Sequence, residues 1–467
     1  MMQNDRWTTV APWFFSAEPT ALEPIRQSLP DDGPHRAWAN FSFVADTGHL
    51  HSVDLLVAGP DGLHLLEVDV SQGQLRDENG IWLRTRNGTT TASDSTRDVA
   101  AVKARHLTAV LRRAAAGRFL TVPAVRGSAF LSDPRSSVDL TGPAAHGVFG
   151  PDGPAGPSLP GVAQDLLWQP ASDRAERPGR RFLRALPGLL HRIGMHPVER
   201  WPRVGTWQLT AKPVALTDRW QDFVAWSTVW DKAPCRVRVY APGTSRTRTD
   251  EAVLREYLLL REFDHPGIVT VDALEHHPPG PVLMFHVEKK QLLRLDHILA
   301  LYRSLFTPAV RAGMIRQIGA GLAHAHARQI AHRALSTRAV MGIPRPAQGE
   351  SVHDGWRDPG LQITDWHHAA VAAAATEGAP DPAAVALDLR ALAAVAQEIC
   401  AGTPAPGFTG LPDRPATESD FSRLPDRLAT ESGFARLHPA EQVRRLTDRL
   451  AEAALSPATG PAVPVAG

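Results

Sequence analysis

The sequence predicts an α+β protein built from two principal domains, and three observations carry that expectation. A chain of 467 residues is longer than one hydrophobic core usually organises. Strand-like runs and helix-like periodicities follow one another in two separate blocks, residues 37–190 and 207–402, and the pattern lapses between His191 and Pro202. Beyond Gly402 apolar residues thin out. The expected domains span residues 1–195 and 203–402, with a tail over 403–467.

Composition narrows the functional classes. Hydrophobic residues make up 43% of the chain, charged residues 21%, and the net charge is +1. A polyanion binder usually carries a bulk basic excess, so charge does not indicate nucleic acid, although a local basic groove stays open. The two cysteines, Cys235 and Cys400, argue against a disulfide framework and a Cys-ligated zinc site. No stretch approaches 18 uninterrupted apolar residues, so no membrane span is expected. The N-terminus has no basic segment leading into a long apolar one, which points to a cytoplasmic protein. Among 20 histidines, the pairs His49/His51, His276/His277, His324/His326 and His367/His368 lack the spacing of a zinc enzyme.

The first block opens on strands. The run 53–59 is mostly apolar, Pro60-Asp61-Gly62 signals a turn, and Leu63–Val70 reads as the returning strand of a hairpin. Val99, Val102, Leu107, Val110, Leu111 and Ala114 recur at helical spacing and mark an amphipathic helix that packs on that sheet. Residues 142–161 are dense in Gly and Pro and read as a loop or insertion. In the tail, LPDRPATESDF at 411–421 and LPDRLATESGF at 424–434 nearly repeat, too few copies for a solenoid. Val443, Leu446 and Leu450 then form one stripe of a short helix.

The second block has five features in a fixed order. The strand Cys235–Tyr240 precedes a helix over Thr249–Phe263, then HPGIV at 265–269 and the apolar strand VLMF at 282–285. A helix over Val310–Ala327 runs into IAHRALSTRAV at 330–340, and LQITDWHHA occupies 361–369. This order resembles the protein kinase family, with its lysine strand, helix C, hinge strand, HRD catalytic loop and DFG metal site. The resemblance implies a two-lobed kinase-like fold and a site for ATP and Mg²⁺ around Arg238, Glu256 and Asp365.

Several chemical groups of that family are missing. In active kinases the loop aspartate accepts the substrate hydroxyl proton, and an asparagine five positions later holds magnesium. Here the loop reads His332-Arg333-Ala334, the asparagine position is Ala339, and Ser336 stands at the lysine position. Residues 210–232 contain no glycine to let backbone amides approach phosphates, and Arg238 replaces the compact lysine. A general base contributes about 10²–10⁴ in rate, and electrostatic stabilisation of the transition state more. Losing both points to a degenerate kinase-like domain used for interaction. Glu256 also fits a surface glutamate pairing with Arg238 as a scaffold ion pair, Asp365 a local cap, and His332 and Arg333 a brace for their loop. Ala379-Pro380-Asp381 resembles the APE motif, and Asp388 opens a helix resembling the family's helix F.

The first block carries a second resemblance. SVDLLVAGPDGLHLLEVDVSQGQL at 52–75 resembles the nuclease-related domain, a relative of the restriction-endonuclease-like fold, in which an Asp and an E-x-K motif bind magnesium. Asp54 and Glu67 match the two acids, whereas position 69 is Asp69 rather than lysine. Strand geometry puts Glu67 and Asp69 on one face, so Asp54, Glu67 and Asp69 are a candidate metal set. Lys103 could replace the missing lysine, although a solvated helix-face lysine is the simpler expectation. RAWANFSF at 36–43, Gly80-Ile81-Trp82, AAVKARHLTAVLRR and VGTWQL at 204–209 extend the likeness to the front part of the large serine/threonine kinases of phage-growth-limitation and BREX systems.

Together these features suggest a catalytically impaired kinase-like protein with a degenerate nuclease-related domain, acting as a regulatory or scaffold component of a bacterial defence or signalling system. It implies a protein partner and no membrane. Two alternatives stand beside it, an atypical serine/threonine kinase that binds ATP and a metal-dependent nuclease.

Overall fold

The computed structural model describes residues 6–10, 17–30, 35–46, 50–59, 62–153, 159–167, 177–195, 203–210, 213, 215–216, 220–229, 234–240, 246–277, 280–286, 292–346, 351, 353–371, 382–401, 424–425, 428–431, 433–434 and 437–455. The fold is α+β. It divides into two compact units: Met1–Asp250 with Glu275–Val282, and Glu251–Leu274 with Leu283–Gly467. The division falls inside the block expected to be kinase-like.

In the first unit, strand β1 (Trp7–Thr9) is followed by helix α1 (Ala17–Ser28), β2 (Arg36–Val44), β3 (Leu50–Gly59) and β4 (Gly62–Asp69). The hairpin expected at Pro60-Asp61-Gly62 forms, with Gly59 opposite Gly62; positions 60 and 61 themselves lie outside the described residues. Next come β5 (Gln74–Glu78), β6 (Ile81–Arg86), β7 (Thr89–Asp94) and helix α2 (Thr96–Ala115). After them come β8 (Val125–Leu131), β9 (Ser137–Asp139), β10 (Val148–Phe149) and helix α3 (Arg180–Arg192). A six-stranded sheet runs β1-β2-β3-β4-β8-β10, and a four-stranded one runs β7-β6-β5-β9. The Gly/Pro-rich stretch expected to be only loop thus contributes an edge strand, because Val148 and Phe149 pair in parallel with Ala129 and Phe130.

Alternation along the strands sends apolar side chains to both faces of the larger sheet. One face packs Leu63, Leu65, Val53 and Leu56 against Leu107 and Leu111 of α2 and Leu186 and Leu190 of α3. The other packs Leu55, Val57, Leu66 and Val68 against Leu22 and Ile25 of α1. Helix α2 lies close on β8 because Gly127 has no side chain: a Cβ there would stand 2.3 Å from the Ala100 carbonyl oxygen. Ser95 caps α2 by accepting from the Asp98 N–H, and Asp98 lies in the first turn, where a carboxylate suits the helix dipole.

The first unit continues with β11 (Arg203–Val204), β12 (Trp207–Leu209), β13 (Ala215–Leu216), β14 (Trp220–Ser227) and β15 (Pro234–Tyr240). β11, β12, β14 and β15 pair antiparallel in that order, and β13 adds to β14. Helix α4 (Arg246–Glu262) and strands β16 (Val271–His277) and β17 (Gly280–His286) follow, each divided in sequence between the two units.

The second unit contains β18 (Leu293–Arg294), α5 (Leu295–Tyr302), α6 (Pro308–Ala327), β19 (Ile330–Ala331), β20 (Val340–Ile343), β21 (Gly360–Ile363), β22 (Ala370–Val371) and α7 (Pro382–Cys400). α7 starts at Pro382, ahead of Asp388, which sits inside the helix instead of opening it. The HPGIV turn anchors to β21, where the Val269 N–H donates to the Ile363 carbonyl. A further helix, Pro439–Leu455, buries Val443, Leu446 and Leu450 completely and packs on α6. The contact is close at Gly319, where a Cβ would stand 2.1 Å from Thr447 Oγ1. Ala379-Pro380-Asp381 and the first copy of the repeat lie outside the described residues. No described helix is long and apolar enough to cross a membrane.

Candidate functional site

The first cluster grows from a local break in the strands. Trp38 and Phe41 of β2, three residues apart, bury into the same core because Asn40 between them adopts a left-handed φ of 52°. On β3, Val53 and Leu56 likewise share that core. The β3–β4 ladder runs to Leu55 opposite Leu66, and beyond it the Asp54 carboxylate accepts the Val68 N–H at 2.8 Å. Asp54 is thereby a buried backbone partner at the point where the ladder ends.

Glu67 faces the α2 side of the sheet, where Lys103 places its Nζ 2.6 Å from Oε2. Their side chains are 3% and 5% exposed, so Lys103 is a buried counter-ion, and the expectation of a solvated helix-face lysine is corrected. The close approach of α2 at Gly127 explains this, since it brings the lysine's helix down onto β4 and β8. The Asp69 carboxylate is held by Arg84 of β6 at 2.5 Å and by the Ser71 N–H at 2.9 Å. Each of the three acids therefore has its own partner. Among the described residues no group of three His, Cys, Asp or Glu stands together as a metal would need.

Arg238 lies on β15, directly opposite Asp222 of β14. Its Nε and Nη2 donate to the two Asp222 oxygens at 2.7 and 3.0 Å, and its guanidinium carbon stands 3.6 Å over the Trp220 ring. Arg236, two residues away on the same face, donates to Asp222 as well. Arg238 is 0% exposed. Burial pushes the Asp222 carboxyl upward, yet the charges and hydrogen bonds of Arg236 and Arg238 outweigh it and hold the pKa below the usual carboxylate range. Arginine suits this place because its planar fork takes a carboxylate and stacks on an indole at once.

In the second unit the loop after α6 is fixed by a buried carboxylate. Asp388 Oδ2 accepts the His332 N–H at 2.7 Å and lies 2.8 Å from His326 Nε2, while Oδ1 accepts the Arg333 N–H at 2.6 Å. Those bonds hold Arg333 in a left-handed conformation with φ 68°. The His332 ring is oriented at both ends: Nδ1 accepts the Ala334 N–H at 3.2 Å, so Nε2 carries the proton and donates to the Thr364 carbonyl at 2.8 Å. Burial lowers the His332 pKa despite the opposing effects of Asp388 and Thr364, so the ring is neutral. It meets Trp366 edge to face with centroids 4.6 Å apart. Asp365 is buried with φ 68°.

The loop after α6 is thus braced from both sides, and it carries no acid at position 334. Ala334 is half-buried and Ala339 is buried, and neither side chain can accept a proton or bind a cation. Glu256 on α4 is 1% exposed, which corrects its reading as a surface glutamate. Arg238 belongs to the first compact unit, Glu256 and Asp365 to the second. Ala339 offers no ligand atom at the position of the second metal ligand, and Arg238 is engaged by Asp222 and Trp220.

No protein-family profile matches the chain. A search of curated proteins finds a relative in Streptomyces coelicolor, 32% identical over 381 residues. It is named Probable kinase PglW. The match covers 78% of this chain and 23% of that protein, so the chain spans about a quarter of the relative's length. Sequence reasoning picked out Arg238, Glu256, His332, Arg333 and Asp365 by position, but it missed the partners that decide their roles. Asp222 is the clearest omission: a period-two reading of β14 against β15 would have faced it to Arg236 and Arg238.

Proposed function

We propose that residues 203–402 form a degenerate protein-kinase-like domain that works by interaction, within a regulatory or scaffold component of a bacterial phage-defence system. The observation that carries this reading is the loop 332–339, braced by Asp388 as a catalytic loop requires yet ending in alanines where the base and the metal ligand would stand. The buried Arg238–Asp222 pair supports it, because the cation in the phosphate-contacting position is already engaged. The name of the relative supplies the kinase context, and the resemblance of the segments at 36–43 and 204–209 to the phage-growth-limitation kinases supplies the defence context.

Autophosphorylation with radiolabelled ATP tests this reading. No label is expected in the full chain, nor in the double variant Ala334→Asp/Ala339→Asn, because Arg238 stays engaged. Label in the unmodified chain would instead make it an atypical kinase. Label only in the double variant would show that two side chains were the whole deficit.

A further inference from the structure

The hairpin of β6 and β7 carries an open cleft of about 500 Å³, lined among others by Ser71, Gln72, Arg84, Arg86, Thr89 and Thr91. Register explains the lining. Arg84 stands opposite Thr91 and Arg86 opposite Thr89, so two guanidinium and two hydroxyl groups share one face of the ribbon. Thr85 and Thr90 bond one another on the other face at 2.9 Å. Arg84 is fixed by Asp69 and the Ser71 carbonyl, which preorganises its fork and offsets its charge. Arg86 is exposed and makes no hydrogen bond or ion pair with any described residue. The cleft therefore offers one uncommitted cation beside the exposed Thr89 hydroxyl, while the Thr91 hydroxyl donates to the Arg84 carbonyl at 3.4 Å.

β7 is also the last strand of its sheet, and among the described residues no strand pairs with its outer edge. Its burial alternates along all six residues, as in a strand with one face to solvent. An open edge presents a row of backbone donors and acceptors to which an extended peptide can add.

We propose that this edge and cleft bind an extended, phosphorylated peptide segment of a partner protein. The peptide pairs with β7, and its phosphate sits on Arg86 and Thr89. One free guanidinium can make a charge-assisted pair with a single phosphate group, a hydroxyl adding a further donor. A nucleic-acid strand would ask for a row of uncommitted cations, and Asp69 beside Arg84 opposes such a polyanion. The proposal does not rest on the state of the kinase-like domain, and its test is independent of ATP.

The experiment is fluorescence anisotropy on the full chain. The probe is a short labelled peptide of alternating Val and Thr with one phosphothreonine, compared with its unphosphorylated twin. The phosphopeptide is expected to bind about tenfold or more tightly, in line with one charge-assisted contact. Arg86→Glu, a change at an exposed side chain, should erase that preference, and Thr89→Val should reduce it. Hydrogen exchange should show new protection at β7 amides in the complex. Equal binding of the two peptides, or an unchanged preference in Arg86→Glu, would overturn the proposal. Displacement by inorganic phosphate at the peptide's own affinity would show a small-anion site, and tighter binding of a single-stranded oligonucleotide a nucleic-acid site; either result rejects it.

Discussion

Removing Lys103 tests the reading of the first unit most directly. Lys103→Met keeps the length of the side chain but leaves Glu67, 3% exposed, without its counter-ion. Breaking a buried pair by removing one partner costs about 3–5 kcal/mol, because the remaining charge stays uncompensated. In a unit of this size each kcal/mol shifts the melting temperature by about 2–4 °C, so the expected drop is roughly 6–20 °C. Differential scanning calorimetry of the full chain would report it as a shift confined to one transition. Adding Glu67→Gln should restore much of the loss, since a neutral amide needs no cation. The penalty should also depend on pH. Burial without a partner raises the folded-state pKa of a carboxyl above its unfolded value, so the penalty is full above the folded pKa, fades as pH falls through it, and is gone below the unfolded one. A drop of less than about 2 °C, or one independent of pH, would refute the claim that Glu67 and Lys103 form a buried charged pair.

Three further outcomes are expected. Burial, aided by the charge of Arg126, lowers the His64 pKa from 6.5 to about 3, so the unfolded chain takes up this proton first and stability falls on acidification between those values. The slope is at most about 1.4 kcal/mol per pH unit, and a melting series in His64→Leu should be flatter by that much. Asp388→Ala removes the acceptor of the His332 and Arg333 amides, at about 1–3 kcal/mol for each; hydrogen exchange at those two amides should rise sharply, and unchanged protection would contradict the brace. Gly319→Val places a side chain where Thr447 already stands, so the helix Pro439–Leu455 should detach and become protease-sensitive while α6 stays helical.

Much of the candidate site was legible by position and little of it by partnership. The glycine-free stretch and the alanines at 334 and 339 were plain from spacing, because a missing functional group is a property of the residue itself. Lys103 was read as solvated because its helix is amphipathic only on average, and nothing local states how close α2 comes to β8. Gly127 decides that, and its effect passes through space to Ala100. The burial of Glu256 is not legible for a related reason, since the exposure of a charged helix residue is set by how that helix packs.

What the sequence by itself determined is the order and type of the elements: the β3–β4 hairpin from a turn signal between apolar runs, and α2 and α6 from apolar periodicity. These follow from short-range forces, where neighbours within a few residues fix the backbone. Only the tertiary structure decided which charges meet. Glu67 finds Lys103 across 36 residues, Asp222 gathers Arg236 and Arg238 from the next strand, and Asp388 reaches His332 across 56. A buried charge must find a partner, but which one it finds depends on the faces that packing brings together, and that is settled by the whole core at once.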